Sequence, residues 1–285
     1  MNAPIRPGAG LSLKPDYFQA ARDCRAGGLW FEVHPENYMV DGGPRLAWLD
    51  AIAERHPLSL HGVAMSLAAP AAPDARHLRR FRKLVERVDP MLVSEHLAWS
   101  ATGGHYYPDL LPFPRSDEAL AVIADNIARV QDSLGRRIAI ENPTHYMPVP
   151  GHRYTEQAFL AELCERSGCG LLLDINNVFI SAHNLGFDAQ RYLLDFPLSA
   201  VMEIHLAGHS VDAPDQAEDT GETLLIDSHD QPVADPVWEL YRAVIERAGP
   251  VPTLIERDGN IPSFDILLAE RARAQALLER LESMP

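Results

Sequence analysis

Several short apolar runs in this chain stop on a residue that can carry a proton or bind a metal. SLHG supplies His61, VSEHLAW supplies Glu95 and His96, and IAIENP supplies Glu141. LLLDINN supplies Asp174, MEIHLAGH supplies His205 and His209, and TLIERDGN supplies Glu256. An apolar run of this kind reads as a strand buried on both faces, so a charge at its end cannot lie in the core unpaired. It reaches water or meets a cation. Taken singly, each residue is as readily a hydrogen-bonded core histidine or half of a structural ion pair. Six consecutive strands ending this way say more. They gather the imidazoles of His61, His96 and His205 with the carboxylates of Glu141, Asp174 and Glu256. Carboxylates that close repel one another, and divalent metal ions remove the problem.

Two loop motifs extend the set. DSHD supplies Asp227 and His229, an Asp-x-His pair that an extended backbone would point to one face. DINN sets Asn177 three residues after Asp174. His183 and His209 are weaker candidates. His34, His105, His145 and His152 fall in loops and read as substrate-facing or merely polar. Nitrogen and oxygen donors without thiolate suit iron, manganese or zinc better than Cu(I) or an iron–sulfur cluster. Among those three metals the donor types do not choose. Glu141 suits a bridging role because its strand lies between those of His96 and Asp174. Glu141, His96 and Asp174 are the residues expected to carry catalysis.

Positioning such a set requires parallel strands that end at one level. Short apolar runs at residues 10–13, 29–33, 59–62, 91–96, 137–141, 170–174, 201–206 and 251–256 predict eight strands. Amphipathic segments at 16–26, 43–55, 74–88, 117–134, 155–166, 188–195, 236–247 and 263–281 predict the helices between them. Pro15 suits a first helical turn, Ser116 an N-cap, and Asp117 and Glu118 complement the helix dipole. Gly27, Gly135 and Gly168 stand where a glycine follows a helix end. Eight βα units close into a (β/α)8 TIM barrel, and 285 residues suit a single domain, 1–285, of that class. An open doubly wound sheet is the alternative, but no Gly-rich phosphate fingerprint follows the first strand. The longest loops, 97–115, 142–153 and 207–234, follow strands four, five and seven, where barrels build active sites.

The formal net charge is −15, which disfavours nucleic acid as a partner. The one basic segment, with Arg79, Arg80, Arg82 and Lys83, reads as the solvated face of a helix. Cys24, Cys164 and Cys169 form no disulfide framework and read as reduced packing residues. With no signal-like apolar run at the start and none long enough to span a membrane, a cytoplasmic location is expected.

The order His61, His96, Glu141, Asp174, Asn177, His205, Asp227, His229, Glu256 resembles the trinuclear metal site of the endonuclease IV and xylose isomerase-like barrels. It departs from the nuclease pattern at Asn177, where that pattern has His. A metal-dependent hydrolase or isomerase on the same barrel is the alternative this resemblance leaves. The fuller match is to the DUF692 (UPF0276) family, the multinuclear non-haem iron-dependent oxidases. It rests on GLSLKPDYF, WFEVHPENYM, SLHGVAMSL, VSEHLAWS, AIENP, LLLDINNVFISAHN, EIHLAGH, LIDSHDQPV and LIERDGNIP, which cover nearly the whole chain. That resemblance implies O2-dependent oxidation of a residue, often Cys, in a ribosomally made precursor peptide presented by a small partner protein. It implies two or three irons, with zinc or manganese as possible substitutes. His61, His96 and Glu141 would hold one. Glu141, Asp174, His205 and Glu256 would hold the next, and Asn177, Asp227 and His229 a third, weaker one.

Overall fold

The computed structural model describes residues 8–102, 104–212 and 223–283. Eight parallel strands close into a barrel: β1 (Ala9–Ser12), β2 (Phe31–Val33), β3 (Leu58–Gly62), β4 (Leu92–His96), β7 (Ala139–Glu141), β8 (Gly170–Asp174), β9 (Val201–Ala207) and β12 (Thr253–Glu256). β12 pairs with β1 and completes the ring. Two antiparallel hairpins rise from the ends of β4 and β9. They are β5 (Trp99–Thr102) with β6 (His105–Leu111), and β10 (Ser210–Asp212) with β11 (Leu224–Ile226). Both fall in stretches read from sequence as plain loops. Their strands are short and partly polar, so an apolar-run criterion passes over them.

The outer helices form where apolar spacing and caps agree. Helix α4 (Asp117–Leu134) buries Leu120, Ile123, Ile127, Val130 and Leu134 along one stripe. Ser116 accepts from the amide of Ala119 at its start, and Gly135 ends it at φ 67°. Removing one such side chain, as in Ile127→Ala, costs about 2–5 kcal/mol. Helix α5 (Glu156–Ser167) is capped by Thr155 and closes at Gly168, φ 71°. The first helical segment is shorter than its pattern suggests. A 3-10 turn (Pro15–Tyr17) leads into α1 (Phe18–Asp23), where Cys24 turns extended. Gly27 therefore follows no helix end, and Gly28 takes the left-handed turn at φ 67°.

The larger difference lies after β8. Helix α6 (Ile175–Leu185) begins at once, ahead of α7 (Ala189–Leu194). Asparagines in the first turn and an apolar remainder mask this helix in the sequence. Asp174 nevertheless caps it, its Oδ1 accepting from Asn177 N at 2.6 Å. Helix α3 (Ala75–Val88) carries the basic segment on its solvent side, and Arg82 pairs there with Glu86 at i,i+4. Among the described residues no helix is long and apolar enough to cross a membrane. The three cysteines are free thiols, with Cys164 and Cys169 sulfurs 3.9 Å apart.

Candidate metal centre

Strand register sets the site. His96 pairs with Glu141 across β4–β7, and Asp174 pairs with His205 across β8–β9. Paired residues on parallel neighbours point the same way, here into the barrel mouth. Alternation sends Glu95, next to His96, to the other face. There it is buried and lies so close to Gly62 that a Cβ would sit 2.0 Å from its Oε2, which explains the glycine. Burial, with Glu36 nearby, holds the Glu95 carboxyl well above the usual range. Glu95 thus leaves the candidate set.

His61, His96 and Glu141 form a compact triangle. His61 Nε2 and His96 Nε2 are each 3.2 Å from Glu141 Oε2 and 3.3 Å from one another. The far ring nitrogens are held elsewhere. His61 Nδ1 meets Ser94 Oγ at 2.8 Å, and His96 Nδ1 donates to the Gly62 carbonyl at 3.0 Å. Both Nε2 atoms therefore face one point. Glu141 Oε2 is buried and completes no hydrogen bond, although two nitrogens lie beside it. A metal with ligand bonds of about 2.1 Å has ligand–ligand edges of roughly 3.0–3.4 Å in octahedral or tetrahedral geometry. The triangle has those edges. Burial opposes every charge here, yet the two histidines hold the Glu141 carboxyl down at about 2, and Glu141 holds His61 up at about 9.

A second group brings Glu141, Asp174 and His205 together, and a third brings Asp174, His229 and Glu256 together. Glu256 links them, with Oε2 3.2 Å from His205 Nδ1 and Oε1 3.5 Å from His229 Nδ1. Asp174 Oδ2, both ring nitrogens of His205 and His229 Nε2 are buried without a hydrogen-bond partner. Burial, followed by Glu141 and Asp227, pushes the Asp174 carboxyl well up. His229 lies 2.7 Å from Asp227 through Nε2. The pair converges for a different reason than strand alternation, because His229 is left-handed at φ 49°. Asn177 sits in the first turn of α6, its Nδ2 reaching Glu141 Oε1 at 3.2 Å and its Oδ1 accepting from Thr144. All nine candidate ligands thus occupy one mouth of the barrel.

The remaining histidines separate. His209 meets Asn176 Oδ1 through Nδ1 at 2.9 Å and packs on Phe179, while His183 donates to the Thr223 carbonyl. His145 joins Arg115 and Tyr192 around the buried Glu156. His152 Nδ1 accepts from Arg115 N, and His105 is exposed on β6. His34 does enter the site, forming a group with Glu256 and Asp258. Several supports escaped the sequence reading. Thr144 and Asn176 hold Asp227 at 3.0 and 3.1 Å. Glu32 and Glu203 form a buried group with His205. A signal for these two exists. Residues two before the inward histidines also point inward, and FEVH, SLH, SEH and EIH place Glu32, Ser59, Ser94 and Glu203 there.

The model of the RiPP precursor modification enzyme family MbnB/TglH/ChrH matches residues 8–279. The chain belongs to this family. A UPF0276 protein of Caulobacter vibrioides is 57% identical over 274 residues, covering 96% of each chain. Another from Paraburkholderia phytofirmans is 51% identical over 88% of this chain and 79% of its own length. Among solved structures, a xylose isomerase-like TIM barrel protein from Mycobacterium smegmatis in complex with magnesium has a TM-score of 0.61 at 13% identity, covering 96% of this chain and 97% of that one. D-psicose 3-epimerase from Clostridium cellulolyticum has a TM-score of 0.58 at 10% identity, covering 96% of this chain and 99% of that one. At such identities the structural likeness speaks for the fold alone, a xylose isomerase-like TIM barrel.

Proposed function

We propose that this chain is a cytoplasmic, multinuclear non-haem iron-dependent oxidase that uses O2 to modify a residue, Cys in the first instance, of a ribosomally made precursor peptide. A small partner protein presents that peptide, and residues 1–285 act as one catalytic domain. Family membership supports the peptide substrate. The observation that carries the metal reading is the cluster of buried, unpartnered donor atoms on Glu141, Asp174, His205 and His229 at one barrel mouth. Nitrogen and oxygen donors of this kind suit iron, with zinc or manganese as substitutes.

His61, His96 and Glu141 hold one ion in this reading. Glu141, Asp174, His205 and Glu256 hold the next, and Asn177, Asp227 and His229 the third. Bound iron supplies Lewis acidity toward a substrate thiolate and the electrons for reaction with O2. The chain supplies the rest. Glu141 couples two groups through one carboxylate. The Gly62 carbonyl keeps His96 in the tautomer that leaves Nε2 free. His96 has 18% of its side chain exposed against 2% for His61, so the substrate approaches on the His96 side. His34, 24% exposed beside Glu256, faces the same opening.

Metal analysis of protein purified aerobically after iron-supplemented expression tests this. Two or three irons per chain, visible absorption, and O2 uptake on adding the cognate Cys-containing peptide are expected. Stoichiometric zinc alone, with no O2 uptake on adding that peptide, overturns the reading.

A further inference from the structure

The barrel interior just below the candidate ligands is polar. Glu32, Ser59, Ser94 and Glu203 all lie there, none more than 2% exposed. Barrels usually fill such layers with bulky branched side chains. Buried carboxylates in their place need partners, and Glu32 has one hydrogen bond and one imidazole close by. Ser59 Oγ donates to Glu32 Oε2 at 2.8 Å. Glu32 Oε1 lies 3.2 Å from His205 Nε2, while Glu203 Oε1 is farther from that nitrogen, at 3.8 Å.

His205 faces carboxylates through both nitrogens. Nδ1 looks up to Glu256 at 3.2 Å, a residue that is itself grouped with Asp174 and His229. A neutral imidazole that offers a lone pair at one nitrogen carries its proton on the other. With Nδ1 turned to the ligand cluster, the proton sits on Nε2, and Nε2 looks down on Glu32. We propose that Glu32, anchored by Ser59, is a positioning residue that fixes the tautomer and orientation of His205, and so sets the metal affinity of the group built on Asp174, His205 and Glu256. This rests on the metal reading given above. The other two strand histidines have neutral partners, Ser94 for His61 and the Gly62 carbonyl for His96. An anionic partner makes His205 the more basic ligand of the three.

The test uses the full-length chain, stripped and reloaded with Mn2+ in competition with a chelator, reading ions per chain and the affinity of each. E32A lowers the affinity of one ion by about 10- to 100-fold while the count stays that of wild type at saturation. E32Q, which keeps an acceptor for Nε2–H, recovers most of that loss, and E203Q leaves the count unchanged. Should E32A fail to fold, S59A, which frees Glu32 to turn, lowers the affinity of the same ion. Wild-type affinity in E32A, or in S59A where E32A does not fold, overturns the proposal. So does an equal loss in E32Q and E32A, which makes Glu32 a ligand. Loss of an ion in E203Q also overturns it, by making Glu32, Glu203 and His205 a metal site of their own. Wild-type protein that takes up no Mn2+ fails the metal reading itself and the proposal with it.

Discussion

The two ends of the candidate centre are built differently. His61, His96 and Glu141 stand on barrel strands, and register alone brings them together. His61 and Glu141 are almost fully buried, His96 keeps 18% of its side chain exposed, and hydrogen bonds from the layer below and from Gly62 hold the rings. Asp227 and His229 stand on the loop after β11. They are 19% and 15% exposed, and rely on Thr144, Asn176 and a left-handed backbone. Strand-borne groups are placed by the cooperativity of the whole barrel. Loop-borne groups are placed by a few local bonds, at a backbone cost of about 1–3 kcal/mol for the strained residue. The first kind suits an ion held rigidly, and the second suits an ion that adjusts or exchanges.

That contrast can be broken or sharpened by substitution. Glu141→Gln has the largest effect, because Glu141 belongs to two groups at once. Metal affinity falls by more than about 100-fold, and elemental analysis shows loss beyond a single ion. His61→Ala and His229→Ala, compared in one chelator titration, should differ. The strand variant weakens the tightest ion, and the loop variant weakens only the loosest. Equal effects would erase the distinction between the two ends.

A pH experiment probes the loop side from another direction. Glu156 lies at the start of α5, buried among His145, Arg115 at 2.8 Å and Tyr192 at 2.6 Å. Burial works against its charge, but His145 and Arg115 prevail and hold the carboxyl below its usual range. A folded pKa below the unfolded one gives stability that is present above the unfolded value, about 4.3, and lost as pH falls through the folded value. Glu156→Gln therefore destabilises at pH 7, by about 3 kcal/mol for a broken buried pair. Thermal melts of mutant and wild type should converge in acid. The smallest effect is on α3. Arg82→Ala removes an exposed pair and leaves metal content and melting temperature unchanged.

Much of this was legible in the primary structure. All eight barrel strands fall within the apolar runs read for them, apart from Ala9 at the start of β1, Leu58 at the start of β3 and Ala207 at the end of β9. Ser116, Gly135 and Gly168 act as caps as their types suggest. Other residues were not legible, for reasons that can be named. Glu95 and His96 are adjacent ligand types, and only the direction of the pleat decides which one enters the barrel. Helix α6 hides because Asp174 serves at once as strand end, helix cap and candidate ligand. Glu32 and Glu203 hide inside apolar runs, where a single carboxylate looks like an interruption.

The period is written in the chain's local pattern. Two-residue alternation and apolar runs specify parallel strands, and the polar residue that ends each run marks one end of them. Which residues meet is settled by the closed barrel. Pairing of β12 with β9 on one edge and with β1 on the other sets Glu256 beside His205 and, through the loop after β11, beside His229. It also sets Glu32 on β2 beneath His205 on β9, residues 173 positions apart in the chain. Such contacts depend on the stagger of a closed sheet, which no local pattern encodes.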